Sequence, residues 1–226
     1  TDAIDYTKLK VLERFDGANA GRGTCHHGEV HVVRHVSGYK KIRFYSHENI
    51  GYGPVTLPDQ ELHTSALWWQ LTQGTLETAF ASRQEALDGF LGAAYALHTV
   101  ASVRAMADGR DLQKAVGSGD AAWFATRDGQ GRGQWRDAGG QPTDPEQADA
   151  FLPTLCLYDN FPGGMGLSEP LFRDAALLVR EAMALVEGCD CTGGCPACIG
   201  PVTEADEISG ATQRECAASV LALLDA

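Results

Sequence analysis

The beginning of the chain alternates between apolar and polar side chains, which is the pattern of β-strands with one buried face. Two such stretches, residues 7–15 and 28–36, flank a segment rich in Gly and Asn at 16–23 and predict a long-looped hairpin. Residues 62–71 contain two adjacent tryptophans and suit either strand or helix, with strand favoured. The pattern therefore predicts antiparallel strands over the first third of the chain.

A further strand is predicted at residues 39–46, after a turn at Ser37-Gly38. In such a strand Ile42 and Phe44 share one face, and Lys41 and Arg43 share the other. The apolar pair would enter the core, so this strand presents a basic outer face.

Helical periodicity starts at Ser82-Arg-Gln-Glu85, a capping box, and continues to about Ala107. Residues 167–187 and 212–224 predict two more helices, and residues 152–158 a short apolar strand. Residues 108–150 are rich in Gly, Asp, Gln and Pro and predict an irregular insert with one short strand at 121–126.

These elements predict an α+β fold with a mostly antiparallel sheet, about three helices and a four-cysteine zinc loop. We expect a β-hairpin-like lead-in at residues 1–38, followed by a zinc-binding domain at 39–226 that contains the irregular insert 108–150. The chain starts at Thr1 and not at Met, which suggests either a processed protein or, as the favoured interpretation, a fragment of a longer polypeptide.

Composition is that of an ordinary globular protein, with 44% hydrophobic and 21% charged residues among 226. The sequence contains neither a run of about 20 apolar residues nor a basic-then-apolar signal segment. We therefore expect a cytoplasmic protein without a membrane partner.

The net charge of −12 excludes a uniformly basic surface that would hold nucleic acid everywhere. Residues 1–50 carry eight Lys and Arg against six Asp and Glu, so they are net positive while the rest of the chain is strongly acidic. Any nucleic-acid contact is expected to be local and to involve the early strands.

The most specific motif is Cys189-Asp-Cys191-Thr-Gly-Gly-Cys195-Pro-Ala-Cys198. Four thiolates in a glycine-bearing loop can close a tetrahedral zinc site with no position left for water, so one structural zinc ion is predicted. An iron–sulfur cluster on the same ligands, or a redox dithiol formed by Cys195 and Cys198, remains an alternative.

Two other groups of polar residues have less specific motifs. Cys25-His26-His27, with His31 nearby, could form a second metal site, although partly exposed polar residues are the favoured interpretation. His47, Glu48 and His63 include the groups of an acid–base site, but a hydrogen-bond network at turns is favoured because no nucleophile accompanies them.

The glycine-rich turn of residues 159–166 could cradle a phosphate, because it opens a predicted helix directly after a strand. A packing turn is the favoured interpretation. The sequence contains no Gly-Lys-Ser/Thr ending of a phosphate-binding loop, so nucleotide hydrolysis by this chain alone is not expected.

Several blocks occur together in a recognisable order: Gly38-Tyr-Lys-Lys-Ile, His47-Glu-Asn-Ile-Gly51, Leu57-Pro-Asp-Gln-Glu-Leu-His-Thr64, Tyr158-Asp-Asn-Phe-Pro-Gly-Gly-Met-Gly166 and the cysteine run through Pro201. Together they resemble the C-terminal zinc-binding domain of MrfA-type (mitomycin repair factor A-like) DEAD/DEAH helicases of superfamily two. The resemblance covers roughly residues 28–216. It implies that the four cysteines are zinc ligands.

The resemblance also implies a parent helicase that uses ATP and magnesium, moves 3′ to 5′ on single-stranded DNA and serves DNA repair. The domain itself would be an accessory module that docks on helicase motor domains, in cis or in trans. We expect weak contacts to single-stranded DNA, made by four cations of the early strands: Arg34, Lys40, Lys41 and Arg43.

Whether the chain has an activity of its own is left open. The alternative from another class is a free-standing enzyme that uses His47, Glu48 and His63 for acid–base chemistry, or the pair Cys195 and Cys198 for thiol exchange.

Overall fold

The computed structural model describes residues 2–43, 45, 49–127, 132–144, 146, 151–202 and 211–225. This part of the chain contains eight strands and five helices: β1 (Asp2–Ala20), β2 (Gly23–Ile42), β3 (Asn49–Pro54), β4 (Gln60–Leu71), α1 (Gln73–Ala79), α2 (Arg83–Arg104), β5 (Leu112–Gly117), β6 (Trp123–Arg127), β7 (Gly133–Asp137), β8 (Thr154–Asp159), α3 (Ser168–Arg173), α4 (Ala175–Glu187) and α5 (Gln213–Asp225). None of these helices is long and apolar enough to cross a membrane.

The strands form one sheet in the order β1-β2-β4-β8-β5-β6-β7, with β3 paired to β2. Each pairing between these strands is antiparallel. The predicted α+β class with a mostly antiparallel sheet is therefore confirmed.

The sheet is buried on both faces at its centre. Trp68 and Trp69 are adjacent in β4, so they point to opposite faces, and both are fully buried. Trp69 belongs to the core beneath the helices, whereas Trp68 packs with Val30, Val32 and other residues on the second face. This explains why the segment around the tryptophans is almost continuously apolar and is nevertheless a strand.

The second face is enclosed because the sheet curls. The amide of Val11 in β1 donates to the carbonyl of Gly119, after β5, at 2.8 Å. The ring of Tyr6 in β1 stacks on Phe124 of β6 with centroids 4.9 Å apart. The first strand thus contacts the far half of the sheet and covers the small core around Trp68.

The helix layer covers the other face, with α2 packed against α4 and α5. The predicted cap forms at Ser82, where the Glu85 amide donates to Ser82 Oγ at 3.1 Å, while the Glu85 carboxylate accepts from the amide of Ala81, one residue before the cap, at 3.0 Å. A Cβ on Gly92 would lie 2.7 Å from Ala217 Cβ, so α2 and α5 approach each other closely.

Several local predictions differ from the structure. The long loop predicted at residues 16–23 is wrong, because β1 continues to Ala20 and β2 begins at Gly23. The predicted turn at Ser37-Gly38 is wrong, because β2 continues to Ile42, with irregular pairing to β1 that absorbs the extra residue. The predicted helix 167–187 is broken at Asp174, which the Arg104 guanidinium of α2 contacts at 2.9 Å. The short helix α1 was not predicted.

The stretch 108–150 is more regular than predicted, because it contains β5, β6 and β7. Stacked aromatic rings hold these strands: Trp123 and Trp135 have centroids 3.7 Å apart, and Phe151 stacks on both. The division into a lead-in of 1–38 and an accessory domain of 39–226 stays a prediction, although β2 runs across position 38.

Candidate metal centre

The four cysteines lie in a loop between α4 and α5, against the helix layer. α4 ends at Gly188, whose amide donates to the Ala184 carbonyl at 2.9 Å. Cys198 and Ile199 are fully buried among the core residues, and the other three cysteines pack against that core while remaining partly exposed. The loop is thus built into the fold.

The four sulfur atoms converge on one point. All lie within 4.8 Å of one another. The Cys189–Cys195 and Cys191–Cys198 Sγ pairs are both 3.6 Å apart, and the Cys195–Cys198 pair 3.7 Å apart. A tetrahedral ion with metal–sulfur bonds of about 2.3 Å needs sulfur separations of about 3.8 Å, so the four side chains fit one such ion.

The same distances bear on the alternatives. A disulfide requires sulfur atoms about 2.05 Å apart, and the four cysteines are free thiols. An iron–sulfur cluster interposes several irons and sulfides between its thiolates, so it does not fit between sulfurs this close. A single tetrahedral ion is the species that the geometry accommodates.

The loop turns tightly beneath the sulfurs. The amides of Cys198 and Ile199 both donate to the Cys195 carbonyl, at 3.1 and 3.2 Å. Gly194 has a φ of +121°, and a Cβ there would lie 2.3 Å from the Ile199 side chain. Glycine is therefore required at Gly194, both for its backbone conformation and for the space above the buried isoleucine.

Arg214 of α5 holds the first half of the loop. Its guanidinium donates to the carbonyls of Val186 and Glu187, each at 2.9 Å, and to the carbonyl of Cys191. Its backbone amide donates to the carbonyl of Gly193 at 3.2 Å. One side chain therefore joins the last turn of α4, which has unpaired carbonyls, to the cysteine loop.

Arg127 of β6 holds the second half. Its guanidinium donates to the Ile199 carbonyl at 3.0 Å and to the Gln213 side chain at 2.9 Å. Burial lowers the pKa of this arginine, and the nearby Asp88 opposes that effect. Sequence analysis missed both Arg127 and Arg214, because an isolated arginine in a strand or helix carries no motif.

The thiols differ in their tendency to ionise. The amides of Ala197 and Cys198, together with Cys189, lower the pKa of Cys195 to about 7. Burial raises the pKa of Cys198 to about 12 and also raises that of Cys191. A dipositive ion would be needed to hold all four as thiolates near neutral pH.

The second metal site that was the less favoured interpretation of Cys25-His26-His27 is not assembled in the described residues. Successive residues of β2 point to opposite faces, so His26 contacts Trp68 while Cys25 and His27 face the helix side. His31 lies further along, against Glu61 at 3.2 Å. Among the described residues, the converging group of metal-binding side chains is that of the four loop cysteines.

Three of the four cations predicted to contact DNA lie on the distal half of β2, and Arg43 follows its end. Arg34 and Lys41 are exposed in the strand, Lys40 is half-buried and Arg43 is exposed just beyond its end. Phe44 lies outside the described residues, so its predicted position opposite Arg43 stays a prediction.

The acid–base cluster is only partly described. His47 and Glu48 lie outside the described residues, and His63 is exposed in β4 with its ring 4.7 Å from that of His31. Nothing in the described chain brings a nucleophile to this group.

In the glycine turn of residues 159–166, the backbone amides bind the side-chain carboxylate of Asp159. The buried Asp159 carboxylate accepts hydrogen bonds from the amides of Met165 at 2.7 Å and Leu167 at 3.1 Å. These amides are therefore not available to a phosphate, and the carboxylate would repel one. The turn therefore has a packing role, which was the favoured interpretation of the sequence.

The chain is similar to a known protein family and to individual proteins. Residues 93–199 match the family model described as MZB, the MrfA Zn-binding domain. The whole chain is 32% identical, over 225 residues, to an uncharacterized ATP-dependent helicase, YprA, of Bacillus subtilis. A 45-residue stretch is 40% identical to an uncharacterized protein of Methanocaldococcus jannaschii and covers 20% of this chain and 40% of that protein.

Solved structures give the same picture. A crystal structure of the DUF1998 helicase MrfA bound to DNA superposes with a TM-score of 0.62 at 29% identity and covers 98% of this chain. A second crystal structure of the DUF1998 helicase MrfA gives a TM-score of 0.52 at 28% identity and covers 88% of this chain. The chain spans only 25% of the YprA helicase, and 25% and 23% of these two MrfA chains.

Proposed function

We propose that this chain belongs to the MrfA-type zinc-binding domains, whose family model matches residues 93–199, and that it acts as an accessory domain of an ATP-dependent DNA helicase. In this proposal Cys189, Cys191, Cys195 and Cys198 bind one structural zinc ion. The domain docks on helicase motor domains, in cis or in trans, and helps to frame the path of DNA. The parent uses ATP and magnesium, moves 3′ to 5′ and serves DNA repair.

The convergence of four thiols within a loop that is joined to the core carries this proposal. Structural zinc sites bind their ion with apparent free energies of about 10–16 kcal/mol, which becomes folding free energy. Here the ion would fix the loop to which Arg214 and Arg127 connect α4, α5 and β6. Zinc would thus rigidify one side of the helix layer, as a docking surface requires.

The ligand set supports a structural and not a catalytic ion. Four protein thiolates complete a tetrahedron, so no position remains for a reactive water. The redox alternative would use Cys195 and Cys198 alone and gives no reason for Cys189 and Cys191 to lie equally close. The acid–base alternative rests on His47 and Glu48, which lie outside the described residues.

Charge supports a local contact with DNA. The chain is acidic overall, whereas Arg34, Lys40 and Lys41 lie on the distal part of β2 and Arg43 directly follows its end. Exposed cations on a strand can neutralise phosphates without reading bases. The contact would be weak, because the rest of the chain carries a large negative charge.

Transplantation tests the accessory role. This chain replaces the corresponding quarter of the matching Bacillus subtilis helicase, and DNA-stimulated ATPase and unwinding are measured for the chimaera. We expect unwinding well above that of the helicase truncated before this region, because the accessory domain is restored. The matched control is the same chimaera with Cys195→Ser, which we expect to lose this gain.

Equal unwinding by the truncated helicase and by a folded, zinc-loaded chimaera would contradict the accessory role. The isolated chain should show no DNA-stimulated ATPase, because no phosphate-loop lysine is present in its sequence.

A further inference from the structure

The distal half of β2 leaves the main sheet and forms a narrow ribbon with β1 and β3. Residues 23–34 of β2 pair with β4, whereas residues 38–42 pair on the same edge with β3. At about 3.3 Å per residue, the part of β2 beyond residue 34 extends about 25 Å further. We call residues 38–43 and 49–54 the ribbon tip.

The ribbon tip combines positive charge with exposed apolar side chains. Its two segments contain Lys40, Lys41 and Arg43 and no Asp or Glu, although Glu48 lies between them in the sequence. Tyr52 is 70% exposed and Ile50 54% exposed. In a chain of net charge −12 these two segments are positively charged, although Asp2 of β1 lies opposite Lys40 in the pairing of β1 and β2.

Tyr52 and Lys40 lie side by side. They are directly opposite each other in the antiparallel pairing of β2 and β3, so their side chains project from the same face. The tyrosine ring remains largely in solvent, where a large aromatic side chain gains little unless a partner covers it. An ammonium group therefore flanks an uncovered ring.

On the opposite face of the tip, a tyrosine ring packs closely on a glycine. Tyr39 lies over Gly53, so closely that a Cβ there would be 2.5 Å from the ring. Lys41 Nζ lies 6.0 Å from the centre of the same ring. Lys41 pairs with Gly51, above which an added Cβ would meet nothing within 4 Å. The packing of Tyr39 on Gly53 supports β3, the strand that carries Tyr52. The space above Gly51, opposite Lys41, is unoccupied in the described part of the chain.

We propose that the ribbon tip is a stacking platform for single-stranded DNA, in which a base packs on the ring of Tyr52 and Lys40, on the same face, neutralises its phosphate. Lys41 on the opposite face and Arg43 at the end of β2 neutralise phosphates further along the strand, where it passes around the tip. This inference rests on the proposed helicase function and adds a residue and a strand preference to it. Aromatic rings set among cations bind single strands with little sequence preference, because every base offers a π-face. Bases within a duplex already stack on each other, so the platform favours single strands.

The test uses fluorescence anisotropy with a labelled oligo(dT) and with a duplex of equal length, at several salt concentrations. We expect Tyr52→Ala to weaken binding to the single strand about tenfold, within the range for one stacked base. Its salt slope and its duplex binding should remain unchanged, because no charge is removed. Tyr52→Phe should bind like the parent, since it keeps the ring.

Two further variants separate this inference from the proposed function. Lys41→Ala should lower the salt slope by about 0.7 on single strands, because one phosphate contact is lost. Phe161→Ala removes an aromatic ring that is 43% exposed outside the ribbon tip, and it should have no effect. If the parent binds no single strand, the DNA contact in the proposed function fails together with the platform.

If Lys41→Ala acts as expected but Tyr52→Ala binds like the parent, the platform alone is overturned, and a protein partner becomes the occupant of Tyr52. Equal losses on single strand and duplex would also overturn it. Cross-linking to 5-iododeoxyuridine gives an independent readout: we expect the adduct on the peptide that contains Tyr52, and an adduct confined to other peptides contradicts the proposal.

Discussion

The guanidinium of Arg214 in α5 donates a hydrogen bond to the backbone carbonyl of Cys191, which is itself one of the four proposed zinc ligands. The same side chain also donates to the carbonyls of Val186 and Glu187 at the end of α4. We predict that Arg214→Ala lowers the free energy of unfolding by about 2–4 kcal/mol, because three carbonyls lose a charged donor. Urea denaturation of the zinc-loaded protein measures this.

Arg214→Lys should keep only part of the stability that Arg214→Ala loses, since an ammonium cannot reproduce the planar fork of the guanidinium. The matched control is Arg173→Ala. Arg173 is an exposed arginine that pairs with Glu169 within its own helix, and its loss should cost no more than about 0.5 kcal/mol. Equal stability of the Arg214→Ala and Arg173→Ala variants would show that the contact to the loop is unimportant.

Replacing one proposed ligand should uncouple the loop from the core. We predict that Cys195→Ser and Cys198→Ser each lose most of the bound zinc and melt at clearly lower temperature, because an incomplete tetrahedron binds the ion weakly. A strong chelator should lower the melting temperature of the parent to nearly the same value. Zinc content and thermal melts on the same samples measure both effects.

Cys216→Ala serves as the control for these variants. Burial raises the pKa of Cys216 to about 12, so it is a neutral core thiol away from the metal-binding group. The alanine variant should keep its zinc even if it loses some stability through a small cavity. Loss of zinc from Cys216→Ala would contradict the assignment of ligands.

The glycine turn after β8 offers a matched pair of substitutions. Gly163 and Gly164 have nearly equal φ values of +78° and +80°. A Cβ on Gly163 would meet nothing within 4 Å, whereas one on Gly164 would lie 2.2 Å from Ser65 Oγ, a hydroxyl that donates to the Asp159 carboxylate. Gly163→Ala should therefore cost about 1–2 kcal/mol from backbone strain alone.

Gly164→Ala should cost more than Gly163→Ala, because the methyl group must also displace Ser65 from the buried carboxylate. Thermal denaturation of the two single variants compares them directly. Equal stability of both variants would mean that the contact between the turn and Asp159 adds nothing to the fold.

Acid should destabilise the protein through His98. Burial is the largest cause that lowers the pKa of His98, the charge of Lys114 adds to it, and hydrogen bonds with the carbonyls of Leu112 and Gly109 oppose it. A histidine whose pKa is lower in the folded state contributes full stability above its unfolded value of about 6.5, and this stability is lost as pH falls from there towards the folded value.

We predict that His98→Gln flattens the dependence of unfolding free energy on pH below about 6.5, since glutamine cannot take up the proton. It can still donate to the Leu112 carbonyl, which the histidine contacts at 2.8 Å. Denaturation curves at pH 7.5 and at lower values, for parent and variant, measure the change. An unchanged slope would assign the acid sensitivity to other groups.

The sequence predicted correctly those elements that depend on contacts between residues close together in the chain. The cap at Ser82 formed, because its hydrogen bonds need only neighbouring residues. The four cysteines converged, because their spacing within one loop leaves few other arrangements. The strand at Trp68 and Trp69 was favoured correctly, although the run is apolar on both faces.

Elements that depend on distant partners were missed. Trp123 and Trp135 order β6 and β7 by stacking on each other and on Phe151, and no short window of sequence contains all three. The helix break at Asp174 coincides with contacts to Arg104 of α2, far away along the chain. Helical periodicity continues across that break, so the pattern alone could not reveal it.

X-ray absorption at the zinc edge, combined with elemental analysis of the purified chain, tests the central claim most directly. The account predicts one zinc ion per chain, coordinated by four sulfur atoms at about 2.3 Å and by no nitrogen or oxygen. A folded protein without metal, an iron-loaded protein, or a zinc ion with fewer than four sulfur ligands would contradict it.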